Sequence, residues 1–436
     1  MGRTQRKRHH KTLRKFVTCK DEHDIILLNS WLCKQGVQYN KKLHLAVFTD
    51  TGRGVLTKKK IKPGEELVNL PLNSTINVTS LFMDSDFCSI FDSKQQCLVK
   101  YQQSVSFQSL MAFYLTFLNL QGSNSKWYVY LQSLPKSYTV PYFLPKDVLN
   151  FIDSDIVNVV NKQRDIIIKS YKIFEEILNS NLSECASVKI IQENFDLIMY
   201  EWAYFTVNTR CVYIDLTNII SLCPFLDMIN HSPNSKNETK LIVSKGIENV
   251  ALVNVTENQF SEVRFSIYTK NYFKPYNEVF ICYGDSHNLK LITEYGFFLP
   301  NNDLDFVLFQ YEEMLSYLKS ISIKLSQDQI NFIHNHSLNK DLYIDVRGLS
   351  FNFYGLLMVV KYYYNNMDVS KMIYSAAICS NDKVLNDLIT PMIKDKLVSL
   401  KSSLENLEKF DKTIILDNCV ALMNQYVNLL EKFIEC

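Results

Sequence analysis

The chain has 436 residues, 47% hydrophobic and 21% charged, with 47 basic and 45 acidic side chains and a formal net charge of +2. That length predicts two or three domains with ample core, and the composition is that of an ordinary soluble globular protein. The near-neutral balance argues against a whole surface built for nucleic acid, and no apolar stretch approaches the ~18 residues of a membrane helix.

Positive charge is local. Arg3, Arg6, Lys7, Arg8, Lys11, Arg14 and Lys15 crowd beside His9 and His10. Such a run buries no apolar surface, so residues 1–24 are expected to be a disordered tail. It reads as a nuclear-import signal, as a nucleic-acid contact, or as a solvated tail with no address. It lacks the apolar core and small residues of a secretory signal. The 11 cysteines are scattered without a Cys-x-x-Cys pair, which suits free thiols in a reducing compartment and predicts no metal site. Sequons such as those at Asn77, Asn181, Asn230 and Asn254 then carry no glycan.

Residues Asp24 to Gly36 read as a short amphipathic helix with Ile25, Leu28, Trp31 and Leu32 on one face. Leu43 to Phe48 predicts a strand, closed by the turn signal Thr49 to Gly52, with its partner strand over Gly54 to Thr57. Lys58 to Gly64 is a polar turn, and Leu67 to Leu72 another short strand. From about Ser85 to Tyr204 the period becomes helical, over Ser109 to Leu120 and Asp153 to Asn179, joined by an aromatic connector from Trp127 to Pro135. Short strands return between Val212 and Phe280, with a polar loop over Ser232 to Asn237. Beyond Pro300, helical patterns recur over Asp328–His334, Phe351–Tyr364, Asp382–Leu407 and Asp411–Phe433. A helical stretch thus interrupts a folded β layer, and helices follow it.

Three motifs stand in order. Thr51-Gly52-Arg53-Gly54-Val55 is a turn in which glycine permits close backbone approach. Pro224 to Pro233 is an apolar run ending in Asn230-His231-Ser232-Pro233. About fifty residues later, Glu278-Val279-Phe280-Ile281-Cys282-Tyr283-Gly284-Asp285 is a strand-like run ending in a tyrosine. Together with Val207 to Tyr213 and Trp127 to Pro141, they resemble SET-domain lysine methyltransferases of the Rubisco large subunit methyltransferase branch, over roughly residues 25 to 300.

The resemblance implies an α+β chain. It would hold a SET β-fold with pseudoknot over residues 25–300 and an inserted helical subdomain at about 85–204. A C-terminal all-helical substrate-binding domain would occupy 305–436. It implies S-adenosyl-L-methionine as methyl donor, no metal, and a lysine of a histone or non-histone protein as acceptor. Because an amine must be neutral to attack a sulfonium methyl, a dry channel beside that cation suffices without a strong base. The implied catalytic residue is Tyr283, whose hydroxyl would orient the amine and accept weak contacts from the methyl. The implied donor-binding residues are Gly52, Arg53, Gly54, Thr209, Arg210, Asp227, Asn230, His231 and Tyr283. In that scheme the backbone of His231 binds donor while its ring is structural, and the Asn230 side chain faces the donor's amino-acid part. Tyr295 would line the lysine channel. Expected partners are a protein substrate and no membrane, with nucleic acid touched only through the basic tail; the expected location is nucleus, cytoplasm or both.

Each residue also has a structural reading. Tyr283 and Tyr295 could be core tyrosines, His231 a satisfied core histidine, and Gly52 to Gly54 a plain turn. Asn277 replaces a glycine common in relatives, and no cysteine cluster follows Gly296. Two other functions remain open: a SET-fold binding module without turnover, and a thiol hydrolase using Cys211 or Cys282 with His231.

Overall fold

The computed structural model describes residues 16–19, 22–91, 105–181, 183–214, 219–243, 263–364, 368–375 and 383–435. The basic run from Arg3 to Lys15 and the sequon at Asn254 lie outside them. The chain divides into two compact units, the first made of residues 1–138 and 165–285, the second of 139–164 and 286–436.

The first unit is built on two sheets. One has the strand order β1 (Phe16–Thr18), β3 (Leu43–Phe48), β4 (Gly52–Thr57), β11 (Glu278–Ile281), β8 (Asn230–His231). The other orders β2 (Gln38–Tyr39), β5 (Glu66–Pro71), β10 (Val263–Thr269) and β9 (Asn237–Val243). A separate antiparallel pair joins β6 (Cys211–Ile214) to β7 (Ile219–Leu222). β3 and β4 form a hairpin in register from Leu43↔Thr57 to Phe48↔Gly52. Leu43, Leu45, Val55 and Leu56 are buried, whereas Val47 is exposed. β11 runs antiparallel to β4 and parallel to β8, so it carries the tyrosine motif between the glycine turn and the Asn-His pair.

The helical insert supplies apolar packing to this unit. Ser106 caps the helix Phe107–Leu120 by accepting a hydrogen bond from the Ser109 amide. That helix is buried nearly throughout and packs on the helix Leu197–Arg210. Phe113 stacks on Phe174 with centroids 4.1 Å apart, and Phe87, Phe195 and Tyr200 close around them. Near the end of Leu197–Arg210 that carries Thr209 and Arg210, Gln108 Nε2 of Phe107–Leu120 donates to Asn208 Oδ1 at 2.8 Å.

The second unit has its own core, in which Leu144, Val148, Ile156 and Val160 pack with Leu356, Leu357, Leu422 and Tyr426. Its main helices are Phe351–Tyr362, Lys383–Leu407 and Ile414–Glu435. The unit boundary at 164/165 falls inside the helix Ser154–Ser180.

Three local expectations change. Phe16–Thr18, placed in the tail from composition, forms an edge strand, because Phe16 buries against Ala46, Phe48 and Leu56. The aromatic connector contains the helix Tyr128–Ser133, with Tyr130 and Leu131 facing the core. The C-terminal region is mainly but not wholly helical. It carries a three-stranded sheet of β12 (Phe306–Leu308), β13 (Tyr343–Asp345) and β14 (Gly348–Leu349), whose strands are too short to show a period of two. No described helix is long and apolar enough to cross a membrane.

Candidate functional site

Two polar constellations meet at β8. The first is a junction of the three motifs. The Asn230 amide nitrogen donates to Glu278 Oε1 at 2.8 Å, to the Arg53 carbonyl at 3.2 Å and to the Thr51 carbonyl at 3.4 Å. The Thr51 hydroxyl donates to Glu278 Oε2 at 2.7 Å. Gly54 lies directly beneath: a Cβ there would stand 2.4 Å from Glu278 Oε1 and 2.8 Å from Asn230 Nδ2. Close approach, rather than an unusual φ, is what requires glycine at this position. Burial raises the pKa of Glu278, and the Thr51 and Asn230 bonds oppose that rise.

The second is centred on a buried ion pair. Arg210 donates through Nη1 to the Asp227 carbonyl at 2.9 Å and lies 3.4 Å from its Oδ2, which also accepts from the Tyr130 hydroxyl at 3.0 Å. The Asp227 side chain is 0% exposed and that of Arg210 17%. Burial pushes the Asp227 carboxyl up, while Arg210, Tyr130 and Arg53 pull it back towards the ionised form. Burial lowers the pKa of Arg53, and Arg210 beside it acts in the same direction. Asp227 Oδ1 and Arg210 Nε are buried without any protein hydrogen-bond partner. Unmet capacity of this kind costs ~1–3 kcal/mol or more for charged groups, and a buried water or a bound ligand would offset it. The Pro224–Pro233 segment carries further strain, since Phe225 is held at φ 72° with its ring stacked on Tyr39 at 4.1 Å.

Tyr283 stands beside the ion pair, close enough for its hydroxyl to influence the Arg210 charge. That hydroxyl donates to the Ile229 carbonyl at 2.7 Å. The Tyr283 amide donates to His231 Nδ1 at 3.0 Å, and burial lowers the His231 pKa. With Nδ1 accepting that bond, the imidazole carries its proton on Nε2. A hydroxyl whose proton is committed to a carbonyl turns its lone pairs the other way, and can accept there.

A comparison with protein-family models gives no match. The chain is 24% identical to SET domain-containing protein 4 of Artemia parthenogenetica, covering 93% of this chain and 95% of that one. It is 25% identical to SET domain-containing protein 4 of Homo sapiens, covering 78% and 74%. It is 24% identical to actin-histidine N-methyltransferase of Gallus gallus, covering 64% of this chain and 43% of that relative. Among solved structures, the SET domain of LSMT bound to lysine and AdoHcy superposes with a TM-score of 0.63 at 15% identity, covering 94% of this chain and 90% of that one. Rubisco LSMT bound to AdoMet gives 0.62 at 16%, covering 94% and 91%.

The chain has the SET fold and is similar to proteins of the Rubisco LSMT-like branch. β8 and β11, paired in parallel beside the glycine turn, bring the two C-terminal motifs of the SET fold together.

Of the residues singled out from sequence, the SET unit gathers Arg53, Gly54, Arg210, Asp227, Asn230, His231 and Tyr283. Gly52 sits in the exposed turn at φ 69°. The Thr209 hydroxyl donates to the Phe205 carbonyl of its own helix at 2.8 Å. Tyr295 belongs to the second unit, at the end of the π-helical turn Leu291–Tyr295, 6.2 Å from the Phe297 ring. Burial pushes the Cys211 thiol up, the reverse of what a nucleophile needs. Among the described residues no group of three or more His, Cys, Asp or Glu could hold a metal ion. Glu278 and Tyr130 were missed. Glu278 had a visible signal, a charged residue opening an apolar strand. Tyr130 had none, being 97 residues from its partner Asp227.

Proposed function

We propose that this chain is an S-adenosyl-L-methionine-dependent protein-lysine N-methyltransferase, acting on a histone or non-histone protein in the nucleus, the cytoplasm or both. The observation that carries the reading is Tyr283, its hydroxyl fixed by Ile229 beside a buried Arg–Asp pair with unmet hydrogen-bonding capacity. A zwitterionic amino-acid headgroup asks for that donor set: a guanidinium for its carboxylate and a carboxylate for its ammonium. When bound, the donor would supply an electrophilic sulfonium methyl.

Arg210 and Asp227 would hold the headgroup, with Thr209 at the helix end beside them. The backbone of Gly52, Arg53 and Gly54, and that of Asn230 and His231, would line the remainder. Tyr283 would orient the lysine amine and accept C–H···O contacts. The cationic side chains of Arg53 and Arg210 disfavour a further cation nearby, which favours the neutral, reactive amine. His231 Nδ1 already accepts a hydrogen bond from the Tyr283 amide and is not needed as base.

The test is to incubate the chain and Tyr283→Phe with tritiated S-adenosyl-L-methionine and a demethylated cell lysate, then hydrolyse the labelled bands. Bands with wild type alone that yield methyllysine support the reading. Methylhistidine would move the acceptor to the residue in the actin relative's name. Bands of equal strength with both proteins, or none with either, count against it, and the latter favours the binding module.

A further inference from the structure

Away from the site, at the end of the β3–β4 ladder opposite the Gly52 turn, three loops are tied into one surface. The Lys58 amide donates to the Lys42 carbonyl at 2.9 Å, the Thr57 amide to the Asn277 carbonyl at 3.0 Å, and the Tyr276 amide to the Thr57 carbonyl at 2.6 Å. Ile61 and Phe273 exchange backbone bonds of 3.0 Å in both directions. These ties fix Lys41 and Lys42, Lys58 to Lys60, Lys62, Lys270 and Lys274 on neighbouring segments.

Among the described residues, only two of these eight lysines have an acidic partner. Lys42 pairs with Glu65, and Lys270 lies 3.5 Å from Glu238. Lys41, Lys58, Lys59, Lys60, Lys62 and Lys274 are exposed and, among the described residues, form no ion pair. Two large aromatic side chains stand among them, Tyr272 at 53% exposure and Tyr276 at 63%. Tyr276 is stacked against Phe16, their centroids 6.5 Å apart and planes 8° from parallel. Phe16 directly follows the seven basic residues from Arg3 to Lys15 in sequence. The loop lysines therefore adjoin the point where the basic run joins the fold.

From this juxtaposition we infer that the Lys58–Lys62 and Tyr272–Tyr276 loops form a binding surface for single-stranded nucleic acid. Unpaired lysines held on a folded frame match a row of phosphates. Exposed aromatic rings between them offer stacking platforms for unpaired bases, which an acidic peptide would not use. This surface differs from the expectation read from sequence, which confined nucleic-acid binding to the tail.

The experiment is fluorescence anisotropy of the full chain with a labelled 20-nucleotide oligo(U), across a salt series. Two variants are compared with wild type: the triple change Lys58→Gln, Lys59→Gln, Lys60→Gln, and Tyr272→Ala. All four side chains are exposed, so folding is unaffected by design. The triple variant is expected to bind at least ten-fold more weakly. Its salt slope should be shallower by about 2, at ~0.7 for each phosphate that is no longer neutralised. Tyr272→Ala should weaken oligo(U) about five-fold or more and leave a polyglutamate peptide unaffected, with Tyr272→Phe restoring oligo(U) binding. An unchanged affinity in the triple variant, with or without binding by wild type, overturns the inference and leaves any binding to the tail. Equal competition by polyglutamate overturns it in favour of an acidic protein partner.

Discussion

The two constellations at β8 look alike in composition and differ in closure. At the Asn230–Glu278–Thr51 junction, the Asn230 amide nitrogen and both Glu278 oxygens have partners within the chain. In the Arg210–Asp227 cluster, a carboxylate oxygen and a guanidinium nitrogen have none. A closed polar network sets geometry, whereas one with unmet capacity can take a further partner, water or ligand. On the proposed function, the junction would position the motifs and the cluster would hold the ligand. The contrast also shifts the weight placed on Asn230, whose amide nitrogen faces protein acceptors.

The largest expected effect comes from breaking the cluster. Asp227→Ala leaves the Arg210 guanidinium without its carboxylate, which should cost about 3–5 kcal/mol in urea unfolding. A loss under about 1 kcal/mol would mean that the pair is not a buried ion pair. Tyr283→Phe should lower kcat about 100-fold, roughly 2.7 kcal/mol, while S-adenosylhomocysteine affinity moves less than about three-fold. A fall in affinity with unchanged kcat would place the hydroxyl in binding instead.

On the junction side, Gly54→Ala drives a methyl into Glu278 and Asn230, which their mutual bonds keep from yielding. Thermal unfolding should report a loss of ~1–3 kcal/mol, and full stability would show the junction to be loose. The smallest effect is pH-dependent. A carboxyl whose pKa is raised on folding, as burial raises that of Glu278, contributes stability complete below its unfolded pKa. That contribution is lost as pH rises through the folded value. Glu278→Gln cannot ionise, so its melting temperature relative to wild type should rise as the pH moves up from the ordinary carboxylate range towards neutrality. A flat difference between pH 4 and 8 would mean that Glu278 does not titrate in the folded chain.

Much of the fold was legible because its periods are long or its turns are marked. The hairpin was betrayed by Thr49 to Gly52, and the helix Phe107–Leu120 by apolar residues at 3–4 spacing. The three motifs pointed to the candidate site because each is contiguous. What sequence could not show was pairing across distance. Tyr130 meets Asp227 only once the helical insert has folded. The direction of the Asn230 amide depends on where Glu278 sits on β11. The edge strand Phe16–Thr18 was hidden by its basic neighbours in sequence. The lysine–tyrosine surface was hidden because its loops lie some two hundred residues apart in the chain.

The most direct test of this division is a calorimetric titration with S-adenosylhomocysteine, comparing wild type, Arg210→Lys and Glu278→Gln. Arg210→Lys keeps the charge and removes Nε, so it should weaken binding at least about ten-fold, whereas Glu278→Gln should stay within about three-fold of wild type. The opposite order, or no heat of binding with wild type, would contradict the assignment of the Arg210–Asp227 cluster to the ligand.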